Sequence, residues 1–139
     1  MMHSEDIKFC AKTARLLASR SRATRAKVGC VIWHLKKRTI VGVGYNGTMP
    51  GHDNTMEADG KTLPEVIHAE INAIRKVGWF ARRKSVLFVT HSPCYNCAVA
   101  IVRSGIKEVY YIEPYGDSRG LQYLVTNGVS VKRLLWDNV

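Results

Sequence analysis

Two hydrophobic periods alternate along this chain. From Ser4 onward, Ile7, Cys10, Ala14, Leu17 and Ala18 recur at helical spacing and share one stripe. Ser4 is placed to cap that helix, with Glu5 and Asp6 at its positive end. The period then shortens. Val28 to Trp33 is a β-branched run that reads as a strand, Leu35 to Arg38 makes a turn, and Thr39 to Tyr45 reads as the antiparallel partner. Asn46 to Leu63, carrying Gly47, Pro50, Gly51 and Gly60, reads as one long loop, a length usually kept for function. Helical spacing returns from Glu65 to Val77, with Ile67, Ile71, Ile74 and Val77 as its stripe. Ser85 to Thr90 reads as a buried strand, Tyr95 to Ser104 as a helix closed by Gly105, and Lys107 to Ile112 as a strand. A helix over Ser118 to Asn127 and a strand over Val129 to Arg133 complete the pattern.

Strand-helix-strand units after an opening hairpin predict an α/β fold: a three-layer α/β/α sandwich around a mixed sheet of about five strands. The 139 residues suit one domain, 1–139. No segment reaches the roughly 18 apolar residues of a membrane span, and the N-terminus lacks the apolar stretch of a secretory signal. A cytoplasmic protein without a membrane partner is expected. The four cysteines fit that expectation. Cys10 and Cys30 stand alone in apolar surroundings and read as small buried hydrophobes, whereas Cys94 and Cys97 form a Cys-x-x-Cys, which in a reducing compartment means metal or redox chemistry. The net charge of +10 gathers at Lys12 to Lys27, Lys36 to Arg38 and Arg75 to Lys84. Such charge serves either a solvated face or an anionic partner, whether a phosphorylated small molecule, RNA or DNA, and does not choose among them.

Chemistry concentrates in two short segments. His68-Ala-Glu70 lies near the start of a helix, and Pro93-Cys94-Tyr-Asn-Cys97 lies where a strand runs into the next helix. Two thiolates and an imidazole make three ligands for one catalytic Zn2+, leaving its fourth position for water. A structural zinc would want a fourth protein ligand. No other cysteine has the spacing, His91 is the only nearby histidine, and His3, His34 and His52 are scattered non-ligands. Glu70 is placed beside the metal without binding it, where it can carry a proton between water and substrate. H-x-E followed by P-C-x-x-C is the pattern of zinc deaminases of nucleobases, in which hydroxide attacks C4 of a cytosine and ammonia leaves.

The segments Val28-Gly-Cys-Val-Ile32, Gly42-Val-Gly-Tyr-Asn-Gly47, His68 to Ile74, Thr90 to Cys97 and Ser104 to Tyr110 resemble the deoxycytidylate deaminases of the cytidine deaminase superfamily. The resemblance runs from about Ser19 to Arg133. It implies hydrolysis of dCMP to dUMP for thymidylate synthesis, with Glu70 catalytic and His68, Cys94 and Cys97 on the metal. It places Asn46 at the sugar hydroxyl, Tyr115 against the base, and Ala69 and Ser92 among the substrate-binding positions. Arg25 and Lys27, with Arg22 in reserve, would meet the phosphate. The same resemblance brings a homo-oligomer, a hexamer or smaller, and dCTP or dTTP as effectors with Mg2+. Against regulation stands Gly47-Thr-Met-Pro-Gly-His52, which departs from the family's shorter segment, and Asp53 to Pro64 lacks cysteine for a second zinc. A rival reading, deamination of tRNA adenosine or single-stranded cytosine, fits less well with Ser92 and Tyr95 around the Pro-Cys. Nucleic acid is therefore not expected as a partner. A zinc scaffold with decayed catalysis would have no use for Glu70. Trp79-Phe80 and Trp136 read as core before interface.

Overall fold

The computed structural model describes residues 2–23, 26–48, 57–58, 61–62 and 66–135. Its centre is β1 (Gly29–His34), buried at every position. A run of apolar residues without polar alternation has nowhere else to go, because both of its faces must be covered. β2 (Thr39–Tyr45) pairs with one edge of β1 and β7 (Ser85–His91) with the other, both antiparallel. β8 (Glu108–Glu113) and β9 (Ser130–Arg133) then add in parallel, giving the five-stranded mixed sheet β2-β1-β7-β8-β9.

Side chains leave β1 alternately and divide the core in two. Cys30 and Ile32 join Leu87, Val89 and Val109 beneath α2 (Ala69–Ile74), α4 (Tyr95–Ser104) and α5 (Arg119–Thr126). Val31 and Trp33 join Val86, Phe88 and Tyr110 beneath α1 (Ser4–Ala18), which supplies Cys10 and Ala14. This is the expected three-layer α/β/α sandwich, with α1 on one face and the remaining helices on the other.

Several local expectations are corrected. His3, not Ser4, is the residue before the first helical turn, and no side chain caps it. The stretch from Glu65 to Val77 is not one helix. Val66–Ile67 forms β6, paired with β3 (Gly47–Thr48), and α2 begins only at Ala69. A tertiary strand pairing has overridden the helical periodicity. The expected 46–63 loop holds β3 and a small hairpin of β4 (Glu57–Ala58) and β5 (Lys61–Thr62). Trp79 and Phe80 are not core. They sit on the short helix α3 (Trp79–Arg82), 47% and 79% exposed, because Val77 takes the buried position and α3 is too short to offer a second stripe. Trp136 and His52 lie outside the described residues.

Two glycines set how closely the site-bearing segments approach their supports. A Cβ at Gly44 would lie 2.5 Å from the Ala69 carbonyl oxygen and 2.7 Å from the Ala73 nitrogen, so α2 lies directly on the backbone of β2. Asn72 Nδ2 donates to the Tyr45 carbonyl at 2.9 Å and secures the same contact. A Cβ at Gly120 would lie 2.1 Å from the Pro93 carbonyl oxygen and 2.9 Å from the carbonyl of Cys94, so α5 seats directly on the turn that leads into α4. Gly120→Ala should lose about 2 kcal/mol to overpacking, more than the ~1 kcal/mol by which alanine favours a helix. Thermal denaturation should show a melting temperature lower by about 5 °C or more. Gly116→Ala, with open space around it, should stay within about 0.5 kcal/mol of the parent; equal losses in the two variants would show that the close approach is not what Gly120 provides.

Candidate active site

Three donor-bearing side chains converge at one end of the sheet because two chain segments stop being strand there. β6 holds the backbone extended up to His68, which then caps α2 with its carbonyl accepting from the Asn72 amide at 3.0 Å. β7 ends at His91, and Ser92-Pro93 leads to Cys94, the cap residue of α4, whose carbonyl accepts from the Ala98 amide at 2.9 Å. Cys97 follows within the first turn and is buried. His68 Nδ1 lies 3.2 Å from Cys97 Sγ and 3.6 Å from Cys94 Sγ, and the three donor atoms all fall within 4.8 Å of one another. Bond lengths of about 2.3 Å to sulfur and 2.0 Å to nitrogen put tetrahedral donors about 3.5–3.8 Å apart, so the set fits zinc. Among the described residues it is the only such group. The donor on the imidazole is Nδ1, a detail that spacing does not give.

The electrostatics of the cluster point the same way. Cys94 is lowered to about 4, first because the Cys97 thiol donates to it and also because His68 does, against the cost of its burial. Cys97 is held up, by that same donation and then by burial. The sulfur held low also sits at the N-terminus of a ten-residue helix, which favours its thiolate form in the same direction. Glu70, 4% exposed, is raised to about 7, chiefly by burial. Its own backbone N–H and His68 pull in the opposite direction. A carboxyl in that range can both accept and return a proton near neutrality. Cys30, fully buried behind it, is held well above the ordinary thiol range, first by burial and then by Glu70. Cys10, also buried, is pushed up to about 12 by burial first.

The other expected site residues are distributed around this end of the sheet. Asn46 turns its amide to the segment before β1: Oδ1 accepts from the Val28 N–H and Nδ2 donates to the Ala26 carbonyl, both at 2.9 Å. Its carbonyl accepts from Ser21 Oγ at 3.0 Å. Lys27, between those clamped residues, is exposed, as is Arg22. Gly29 N–H donates to Thr90 Oγ1 at 3.1 Å, which brings this segment to the end of β7 that leads to Cys94. Arg25 lies outside the described residues. Ser92 is buried, donates its N–H to the Glu113 carbonyl at 2.9 Å, and accepts from the Tyr115 N–H. It thus ties the cysteine turn to the segment carrying Tyr115, whose ring is 47% exposed. Ala69 is fully buried under Gly44. Sequence reasoning missed Gly44, Gly120, Asn72 and Ser21, which position rather than react. Gly44 lies inside the Gly-Tyr-Asn-Gly segment, and a glycine in a buried strand was the available signal for a close backbone approach.

The chain is similar to known proteins over most of its length. Residues 4–113 match the family model for the cytidine and deoxycytidylate deaminase zinc-binding region. ComE operon protein 2 of Bacillus subtilis is 35% identical over 133 residues, covering 91% of this chain and 69% of that protein. The deoxycytidylate deaminase of Homo sapiens is 35% identical over 114 residues, 76% of this chain and 64% of its own length. That of Saccharomyces cerevisiae is 33% identical over 135 residues, 88% and 42% respectively, so this chain spans under two thirds of those two relatives. Among solved structures, the dCMP deaminase of cyanophage S-TIM5 in complex with dCMP and dUMP superposes with a TM-score of 0.85 at 37% identity, covering 96% of this chain and 100% of that one. With a family model matched over residues 4–113 and a matching fold over nearly its whole length, this chain belongs to the cytidine and deoxycytidylate deaminase family.

Proposed function

We propose that this chain hydrolyses dCMP to dUMP and ammonia, supplying dUMP for thymidylate synthesis. The observation that carries the reading is a buried carboxylate, Glu70, two residues from His68 in a His-Cys-Cys zinc-binding group. His68 Nδ1, Cys94 and Cys97 would hold the zinc, which when bound makes hydroxide available near neutral pH. Glu70 accepts the proton of the attacking water and delivers it to the ring nitrogen, which activates C4. It then serves the departing amino group, so that one water is consumed and one ammonia released for each base. Burial keeps bulk water from competing for that proton. Tyr115 lies against the base, Asn46 receives the sugar hydroxyl with its remaining hydrogen-bond capacity, and Ala69 and Ser92 line the base. Arg25 and Lys27, with Arg22, meet the phosphate. The rigid Asn46 clamp on Ala26 and Val28 supports Lys27 in that role.

The same reading includes a homo-oligomer of six subunits or fewer. It is supported by an open groove of about 730 Å³ on the outer side of α4, lined by Tyr95, Asn96, Val99, Ala100, Arg103 and Tyr123. It also includes dCTP or dTTP as effectors with Mg2+, and a cytoplasmic location, which four unpaired cysteines support. No helix among the described residues is long and apolar enough to cross a membrane.

Turnover should be highest on dCMP in a panel with CMP, deoxycytidine and a cytosine-containing oligonucleotide; deamination of the oligonucleotide without dCMP would overturn the substrate assignment. Glu70→Gln should lower kcat by about 10² to 10⁴ while zinc content and melting temperature hold, which metal analysis and thermal denaturation check. Removing zinc with a chelator should abolish turnover, and added Zn2+ should restore it. Lys27→Ala should raise KM for dCMP about tenfold and leave deoxycytidine unaffected. Cooperative dCMP kinetics that become hyperbolic with dCTP and Mg2+ are the expected sign of regulation.

A further inference from the structure

One basic cluster lies away from the zinc-binding residues. From Ile71 to Lys107 the chain carries seven basic residues and no acidic one. The short helix α3 interrupts this stretch and presents Trp79 and Phe80 to solvent, with Arg83 and Lys84 exposed beside them. The guanidinium groups of Arg82 and Arg83 lie 5.7 and 5.9 Å from the centre of the Trp79 ring. Arg82 also donates to the carbonyls of Ser104 and Val77 and anchors α3. Across the sheet end, the Leu35 N–H donates to the Lys84 carbonyl at 3.0 Å, so the exposed Lys36 and Lys37 of the β1–β2 turn flank the same patch. Neighbouring Arg38 is taken by Asp6 at 3.0 Å. Among the described residues, Lys36, Lys37, Arg83 and Lys84 form no ion pair.

The patch borders the start of β7, whereas Cys94 follows its end. Seven extended residues separate the two by roughly 20 Å. Four uncompensated cations around two exposed aromatic rings make a poor contact for a second copy of the same patch, which would bring like charges together. They also make a poor membrane face, since a four-residue helix offers too little apolar area to bury. Flexible single strands suit it well: phosphates follow cations, and unpaired bases stack on exposed rings without regard to sequence. The expectation against nucleic acid rested on the residues around Cys94, which concern the substrate; α3 lies at the other end of the sheet.

We propose that α3 and the β1–β2 turn form a second binding surface, for single-stranded nucleic acid, with Trp79 and Phe80 stacking bases and Lys36, Lys37, Arg83 and Lys84 meeting phosphates. The test is fluorescence anisotropy of a labelled oligo-dT of about 20 nucleotides, longer than a typical single-strand site. The zinc-loaded full chain is titrated in saturating dUMP. Oligo-dT has no amino group to lose, so the catalytic site does not contribute. Affinity should fall with salt at a log–log slope of about −3, four phosphates at about −0.7 each. Arg83→Glu with Lys84→Glu should weaken binding at least tenfold and roughly halve that slope. Phe80→Ala should weaken it about tenfold with the slope unchanged. Both should keep dCMP turnover within about twofold, and Lys8→Glu with Lys12→Glu on α1 should leave affinity within about threefold. No binding by the parent chain, or an equal loss in the α1 variant, overturns the proposal. A change of sedimentation mass in the Arg83/Lys84 variant with unchanged anisotropy assigns the patch to a contact between copies. Tighter binding to phosphatidylserine vesicles than to oligo-dT assigns it to a membrane. Either result also overturns it.

Discussion

Everything at the catalytic end depends on bringing two helix caps within about 4 Å of each other over one face of a sheet. His68 and Cys94 come from different crossovers, and each leads a helix whose side chains would ordinarily hold backbones about 10 Å apart. The separation is removed from below. Gly44 lets α2 rest on strand backbone, and Gly120 lets α5 press on the turn before Cys94. Neither glycine is demanded by an unusual backbone angle; each is demanded by the absence of space. From the ends of α2 and α4 supported in this way, His68 Nδ1 meets Cys97 Sγ at 3.2 Å and Cys94 Sγ at 3.6 Å.

The charges then follow from position. A sulfur at the start of α4 receives the neighbouring thiol and the imidazole, with the helix dipole behind it, and all three favour its thiolate form. The buried carboxyl of Glu70, near enough to Cys30 to raise that thiol, loses its water and is raised to about 7. Two acidic groups on neighbouring helix starts are thereby shifted in opposite directions, which suits metal binding beside proton transfer.

Much of this was legible in the residue pattern. The continuous apolar runs of β1 and β7, the stripe of α1 and the terminating Gly105, at φ 88°, follow local rules, and the structure places them where those rules do. His68-Ala-Glu70 and Pro93 to Cys97 could be read as one constellation because metal chemistry restricts residue type and spacing together. What escaped depended on partners distant in sequence. Ile67 fits a helical stripe, yet its pairing with Gly47 draws it into a strand. Trp79 and Phe80 carry the strongest apolar signal in their segment, yet Val77 takes the interior position and turns them outward. Asn46 before Gly47 announces a turn, while its amide holds Ala26 and Val28, some twenty residues away.

The brevity of α2 has a consequence for how the chain relates to its metal. Six residues make under two turns, far below the length at which a helix persists alone in water. His68 and Glu70 hold their relative positions only while β2 lies beneath them. An ion gripped by His68 together with Cys94 and Cys97 therefore cross-links two segments that the unfolded chain leaves independent. Its binding free energy enters the folding equilibrium directly, through thermodynamic linkage. For this chain, metal supply and conformational stability are a single variable.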